Sequence, residues 1–168
     1  MRQHWKKIGL IYNSQSYCSV PIAISLSRKI IRIIFSTRDI DDQSLPFAID
    51  YNLYAQNNEN EFKINVNLGL PGTFDENGIM PSCFIIKDQK ISLYYIGWTK
   101  GCSKPFRNAI GLMTSENMGK SFIKYSVGPI LDRSIYDNCF VASNCVIKDN
   151  DIYKMYYLSC DKWIYEKG

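Results

Sequence analysis

Two aspartates are placed where they could share chemistry. Asp75 and Asp137 each lie a few residues ahead of an apolar, strand-like run, and sixty-two positions separate them. Two carboxyl groups flanking one bond are what cleavage of a glycosidic linkage requires, one as acid and the other as base or nucleophile. The same positions suit an Asx-turn, in which the aspartate side chain caps a bend. Groups suited to holding a ligand lie nearby in sequence. Trp98 offers an aromatic face either to the C–H face of a sugar ring or to packing between structural units. Arg38, Arg107 and Arg133 could clamp a carboxylate or phosphate, although surface arginines are common. Gly119-Lys120-Ser121 has the form of a P-loop end, but Thr114 stands where that motif needs glycine, and the segment reads as a β-turn tip. Nucleotide binding is therefore not expected.

What would position these groups is a repeat. Val20-Pro21-Ile22-Ala23-Ile24, a polar turn at 25–29 and a run from Ile30 to Phe35 form one hairpin pattern. Met80 to Ile86, Lys87-Asp88-Gln89-Lys90 and Ile91 to Ile96 form a second. Val141 to Ile147, a turn at 148–151 and Ile152 to Leu158 form a third. Their starts are spaced by sixty and sixty-one positions. Two further strand-like runs follow each of the first two hairpins: Phe47–Tyr54 and Phe62–Val66, then Asn108–Met113 and Ser121–Val127. Four strands per unit of about sixty residues is the blade of a β-propeller. A sandwich seldom repeats one pattern three times at constant spacing. The expected architecture is all-β, a partial propeller of about two and a half four-stranded blades. The first blade is expected over 8–68, the second over 69–131, and the start of a third over 132–168. Such an incomplete propeller exposes strand edges, and another chain covering the open edge is an expected partner.

In a blade, the start of the first strand and the end of the second share one rim. The segments around Tyr17, Phe74–Gly78 and Arg133–Asp137 would therefore converge with Ser36–Asp39, Gly97–Thr99 and Ser159–Asp161. On this geometry, Asp75 and Asp137 are expected on neighbouring spokes of one cavity.

Composition narrows the classes further. Aromatic residues make up 14% of the 168, with twelve tyrosines, while charged residues are only 21%; this mix favours strands. The net charge of +4 is spread along the chain. Arg2, Lys6, Lys7, Arg28, Lys29 and Arg32 read better as solvated surface than as a nucleic-acid stripe. The six cysteines form no C-x-x-C pair and His4 is the only histidine, so neither metal nor other cofactor is expected. The apolar run Ile8–Tyr12 is short for a secretory signal, and no stretch has the length of a membrane span. A reduced, cytoplasmic protein with thiols serving as small hydrophobes is the expectation.

Several stretches together resemble the five-bladed propeller superfamily of glycoside hydrolases, which includes the family 43 enzymes, the invertases and the mannoside phosphorylases. These are Ile33–Asp39, Gly72–Ser82, Leu93–Trp98, Asn108–Leu112, Gly128–Ser134 and Phe140–Ser143. The likeness runs from about Trp5 to Trp163 and is greatest to little-characterised bacterial members. The turn from Ser115 to Phe122 is similar to an Asp-box, with Glu116 and Asn117 at its acidic position. The resemblance implies a central funnel with an acid leading into blade one, a second leading into blade two, and a Glu on blade three. Asp75 matches the blade-two acid by position and Asp137 stands near the third, whereas Tyr17-Cys18-Ser19 supplies no carboxylate to the first. The resemblance further implies a carbohydrate ligand met by Arg38, Asp39, Trp98, Asn108, Arg133 and Ser143. Two functional expectations follow. One is a glycosidase-like protein acting through Asp75 and Asp137, inactive alone if blades are missing. The other is a non-catalytic carbohydrate-binding propeller associated with sugar transfer or surface polysaccharide, or an inactive gene fragment.

Overall fold

The computed structural model describes residues 4–14 and 17–164, and among them every regular element is a strand. The chain is a partial β-propeller. The first blade is an antiparallel meander of β1 (Cys18–Ser25), β2 (Ile30–Arg38), β3 (Ser44–Asn52) and β4 (Asn57–Lys63). The second repeats it with β5 (Gly78–Lys87), β6 (Lys90–Lys100), β7 (Phe106–Ser115) and the short β8 (Ile123–Lys124). The third begins with a hairpin of β9 (Phe140–Asp149) and β10 (Ile152–Cys160). Strands β1, β5 and β9 are the innermost of their blades and pack side by side, β5 between the other two.

Local chemistry explains the hairpins. Asp88 and Gln89 both take positive φ, 50° and 63°, in the two-residue loop between paired Lys87 and Lys90. That backbone matches the right-handed twist of the flanking strands. Asn52 Oδ1 accepts from the amides of Tyr54 and Ala55 at 2.9 and 3.0 Å, which closes the turn after β3. This cap puts the bend at 53–56, so the polar stretch 57–60 between the two runs read from the sequence is the start of β4.

The outer edge of the second blade also differs from expectation. Of the run 121–127, only Ile123–Lys124 pairs as a strand. The backbone just before it is engaged elsewhere: Phe122 N donates to Asn65 O at 3.0 Å and Asn65 N to Lys120 O at 3.2 Å. The start of the segment is thus stitched to the exit of the first blade, while Tyr125 N still donates to Leu112 O of β7 at 2.9 Å. The turn before it is closed by Asn117, whose Oδ1 accepts from the amides of Lys120 and Ser121 at 3.1 and 3.0 Å. Asn117 thereby does what an aspartate would do at that position.

The blades hold together through an apolar seam. Ile24, Ile34, Ala48 and Ile64 of the first blade meet Ile79, Ile91, Leu93, Tyr95, Met113 and Phe122 of the second, all buried. A single parallel bridge from Ser44 to Gly78 joins the sheets. Gly78 is required there, because a Cβ would come within 2.6 Å of Ser44 Cβ. A buried ion pair adds a polar link: Arg32 grips Asp50 with Nε–Oδ1 at 2.7 Å and Nη2–Oδ2 at 2.8 Å. Its Nη1 donates to Met118 O at 2.6 Å, in the turn of the second blade. Val141, Ala142 and Val146 of β9 are buried, whereas Ile152, Tyr153, Tyr156 and Leu158 of β10 stand exposed. No described helix is long and apolar enough to cross a membrane.

Each innermost strand carries a bulge. The registers shift between Ser19 and Ile22 on β1, between Pro81 and Cys83 on β5, and at Ser143 on β9, opposite Tyr157 and Leu158. Val20 and Ser143 take positive φ there, 47° and 33°. Such extra residues re-aim side chains, and here the bulges stand at matching levels of three adjacent strands.

Candidate functional site

The strand ends predicted to share a rim do so around the junction of the first two blades. Arg38, the last residue of β2, has its guanidinium carbon 5.3 Å from the centre of the Tyr17 ring and 5.1 Å from that of Trp98. Lys100 Nζ lies 5.8 Å from the Trp98 ring. Asp42 accepts from Arg38 at 2.6 Å and stands 3.5 Å from Lys100. The bond from Arg38 holds the Asp42 carboxyl below the usual carboxylate range, with Lys100 adding to the effect. The loop between β2 and β3 is self-supporting: Asp39 Oδ1 accepts from Asp41 N at 3.0 Å and Gln43 N at 2.8 Å. Asp39 is thus turned into its own loop, while Asp42, not singled out in the sequence, takes the charged position.

Trp98 is only 7% exposed, covered by Arg38 and Lys100, whereas Tyr17 is 61% exposed. The open aromatic face at this rim is therefore that of Tyr17, and Trp98 is the packing floor beneath it. Asn108, paired with Trp98 across the ladder, is buried with its Oδ1 lacking a partner. Arg107 is ion-paired with Asp132 beside a cleft of about 410 Å³ that Thr73, Glu76 and Lys100 also line. Arg133 follows it, exposed, with its amide donating to Asp132 Oδ1 at 2.7 Å.

The bulges line an axial cavity of about 480 Å³. Pro21, Ser82, Ser143, Asn144, Cys145 and Tyr157 contribute to its wall. Ser82 Oγ accepts from Asn144 N at 2.8 Å and donates to Asn144 O at 3.0 Å, joining the second and third blades at this level. Both polar atoms of the Asn144 side chain are buried without a partner. Ser143 reaches the cavity as expected of a lining residue. Asn144 escaped the sequence reading because an asparagine inside an apolar strand gives no signal by type alone.

The two aspartates stand at matching positions of consecutive blades, and both are buried. Asp75 is fully buried. Tyr95 Oη donates to its Oδ2 at 2.8 Å and Lys124 Nζ lies 2.6 Å from the same oxygen. Burial, with the carboxylate beside it, pushes the Tyr95 hydroxyl up, so it remains a proton donor. Asp137 is 3% exposed; Ser134 Oγ donates to it at 2.6 Å and Tyr157 Oη at 3.3 Å. These hydroxyls and that of Ser159 hold the Asp137 carboxyl below its ordinary range. Neither carboxylate is among the residues lining the axial cavity. Each is tied to the second strand of its own blade, by a tyrosine twenty residues further on.

That recurrence explains the arrangement. Asp75 with Tyr95 and Asp137 with Tyr157 are one device repeated in consecutive blades. In the first blade, the position sixty residues before Tyr95 is Phe35, which has no hydroxyl, and Tyr17-Cys18-Ser19 provides no carboxylate. The acid and its donor are both missing there, as expected of a pair that serves itself.

No family model matches the chain. An uncharacterised protein of Mycobacterium tuberculosis, present in strains CDC 1551 / Oshkosh and ATCC 25618 / H37Rv, is 27% identical over 168 residues, covering 95% of this chain and 56% of the relative. The chain thus spans about half the length of the curated relatives it matches. Among solved structures, a β-1,2-mannobiose phosphorylase from Listeria innocua, in complex with β-1,2-mannobiose, superposes with a TM-score of 0.68 at 15% identity over 90% of this chain and 43% of that one. A thermostable family-43 glycoside hydrolase gives a TM-score of 0.68 at 13% identity, over 90% and 51%. The fold shared with them is the β-propeller of glycoside hydrolases and phosphorylases.

Proposed function

We propose that this chain is the carbohydrate-recognising part of a five-bladed propeller of the glycoside-hydrolase type, its ligand lying across the rim at Tyr17 and Arg38. The carrying observation is that the exposed functional groups are recognition groups, while both candidate catalytic acids are closed off by their own blades. Tyr17 presents a ring face to the apolar side of a pyranose, and Arg38, Lys100, Asp41 and Asp42 supply donors and acceptors for its hydroxyls. Cleavage by Asp75 and Asp137 would need both carboxyls within reach of one bond, and neither is solvent-facing. The shared fold with carbohydrate-active proteins supports the sugar as ligand class.

Titration of the full chain against oligosaccharide panels, followed by calorimetry on the best ligand, tests this. Tyr17→Ala and Arg38→Ala should each weaken binding roughly tenfold or more, as loss of a stacking or charged contact does. Asp137→Asn should leave affinity unchanged in the folded fraction. The reading fails if no glycan binds, or if binding survives both rim substitutions.

Hydrolysis is a second reading, and one observation favours it. Tyr157 both lines the axial cavity and bonds to Asp137, whose carboxyl is held ionised. Opening that contact would bring a base to the cavity wall, with the partner acid supplied by further blades. Glycoside turnover lost in Asp137→Asn at unchanged binding would establish it.

A further inference from the structure

We propose that Cys83 and Cys145 are a thiol–disulfide pair that fastens the innermost strands of the second and third blades beside the axial cavity. Cys83 lies on β5 and Cys145 on β9, two strands that pack together but belong to separate sheets. Side chains, rather than a backbone ladder, hold this seam. Asn144 N donates to Ser82 Oγ at 2.8 Å, and Val146 N donates to Cys83 Sγ at 3.2 Å. These two bonds flank Cys145, and the second places the peptide that joins Cys145 to Val146 against the Cys83 sulfur. The Cys83 thiol also donates to Val146 O at 3.8 Å, and burial pushes it up, with Cys145 contributing. Cys145 is exposed and lines the cavity, so it is the sulfur a small reagent reaches first.

The reagent class is a low-molecular-weight disulfide such as oxidised glutathione. Cys145 loses its proton to solvent, and its thiolate attacks one sulfur of the reagent, breaking the S–S bond and expelling one glutathione thiolate, which takes up a proton. The Cys83 thiol then loses its proton to solvent. Its sulfur attacks Cys145 Sγ in the mixed disulfide, and the second glutathione leaves as a thiol. Two protein thiols are oxidised and one small disulfide is reduced to two thiols. The bond closes a loop of about sixty residues and joins two blades that no backbone ladder connects, a long closure of the kind that constrains the unfolded chain strongly.

The structure offers an internal contrast. Cys139 and Cys160 are also neighbours across their hairpin, with Cys139 N donating to Cys160 O at 2.9 Å. A bond there would close only a hairpin that its own ladder already zips.

The test uses the full chain, fully reduced and then incubated with oxidised glutathione. The expected product is a monomer in which peptides carrying Cys83 and Cys145 are joined. Its melting midpoint should rise by about 10 °C and return on reduction. Cys145→Ser, at an exposed position, should abolish the joined peptide and the shift, and Cys160→Ser should retain both. The proposal is overturned if Cys83 remains open to alkylation after oxidation, if the only bridges formed are Cys139–Cys160 or intermolecular, or if the rise in melting midpoint persists in Cys145→Ser.

Discussion

Replacing Asp75 by alanine should unfold the seam between the first and second blades rather than stop a reaction. The carboxylate is buried against Lys124 and Tyr95, with side-chain exposures of 1% for Asp75 and 20% for Lys124. Removing one member of a buried ion pair costs about 3–5 kcal/mol, because the other charge stays behind unpaired. Lys124 retains some solvent, which places this loss near 3 kcal/mol, and the Tyr95 hydroxyl left without an acceptor adds about 1 kcal/mol. A total of about 4 kcal/mol corresponds to a fall in melting midpoint of about 10 °C for a chain of this size. Asp75→Asn, which keeps an acceptor for Tyr95 but loses the charge, should fall between the two. Thermal melts followed by near-ultraviolet circular dichroism, run beside glycan titrations, separate the possibilities. An Asp75→Leu, Lys124→Met double variant should recover most of the loss, since the pair then disappears together. The reasoning collapses if Asp75→Asn melts with the parent yet loses binding or turnover, because a structural pair cannot be silent in stability and decisive in function.

Three more outcomes follow from the geometry. The Asp137 carboxyl is held down chiefly by the Ser134 hydroxyl, then by Ser159 and Tyr157. Its stabilising share is therefore complete above the unfolded pKa, near 3.9, and vanishes as pH falls through the lower folded value. Melts between pH 6 and pH 2 should show an acid limb that flattens in Asp137→Asn. Arg32→Met should destabilise by about 3–5 kcal/mol, since it strands the Asp50 carboxylate in the core, whereas Arg32→Met with Asp50→Leu should come close to neutral in urea denaturation. Gly111→Ala would drive a methyl group into the Tyr95 ring, whose hydroxyl serves Asp75. It should therefore lower the midpoint at least as far as Asp75→Asn, and chemical denaturation would show whether it does.

The blades were legible because their signal is redundant. Three apolar runs with short polar turns recur at a fixed interval, and β-branched and aromatic residues fill alternate faces of each. Asp88-Gln89 and Asn52 mark their turns by chemistry that needs no tertiary information. The outer edge of the second blade was less legible, since whether Ser121–Val127 pairs with β7 depends on Asn65, fifty-six residues upstream of Ser121. The site was least legible of all. Spacing locates Asp75 and Asp137 at the ends of strands but says nothing about the tyrosine each one meets, because the pairing is decided by which side chains share a face across the hairpin. Trp98 stayed open between sugar stacking and packing in the sequence, as nothing local announces that Arg38 will cover it.

Repetition itself separates framework from function in such a fold. A residue that recurs with the same partner in consecutive blades answers a local need of the blades that carry it, as Asp75 with Tyr95 and Asp137 with Tyr157 do. A ligand, by contrast, lies across the axis only once, so the groups that read it must break the symmetry. The rim does so at corresponding positions: Arg38 in the first blade, Trp98 sixty residues on, and Cys160 sixty-two beyond that. One is a cation, one the aromatic floor beneath it, and one a half-buried thiol. On the proposed carbohydrate-binding function, the asymmetric Arg38–Trp98 corner, topped by Tyr17 and flanked by Asp42, is where selectivity for one sugar over another is built. Exchanging Arg38 for tryptophan, as in the second blade, should abolish ligand preference before it abolishes folding.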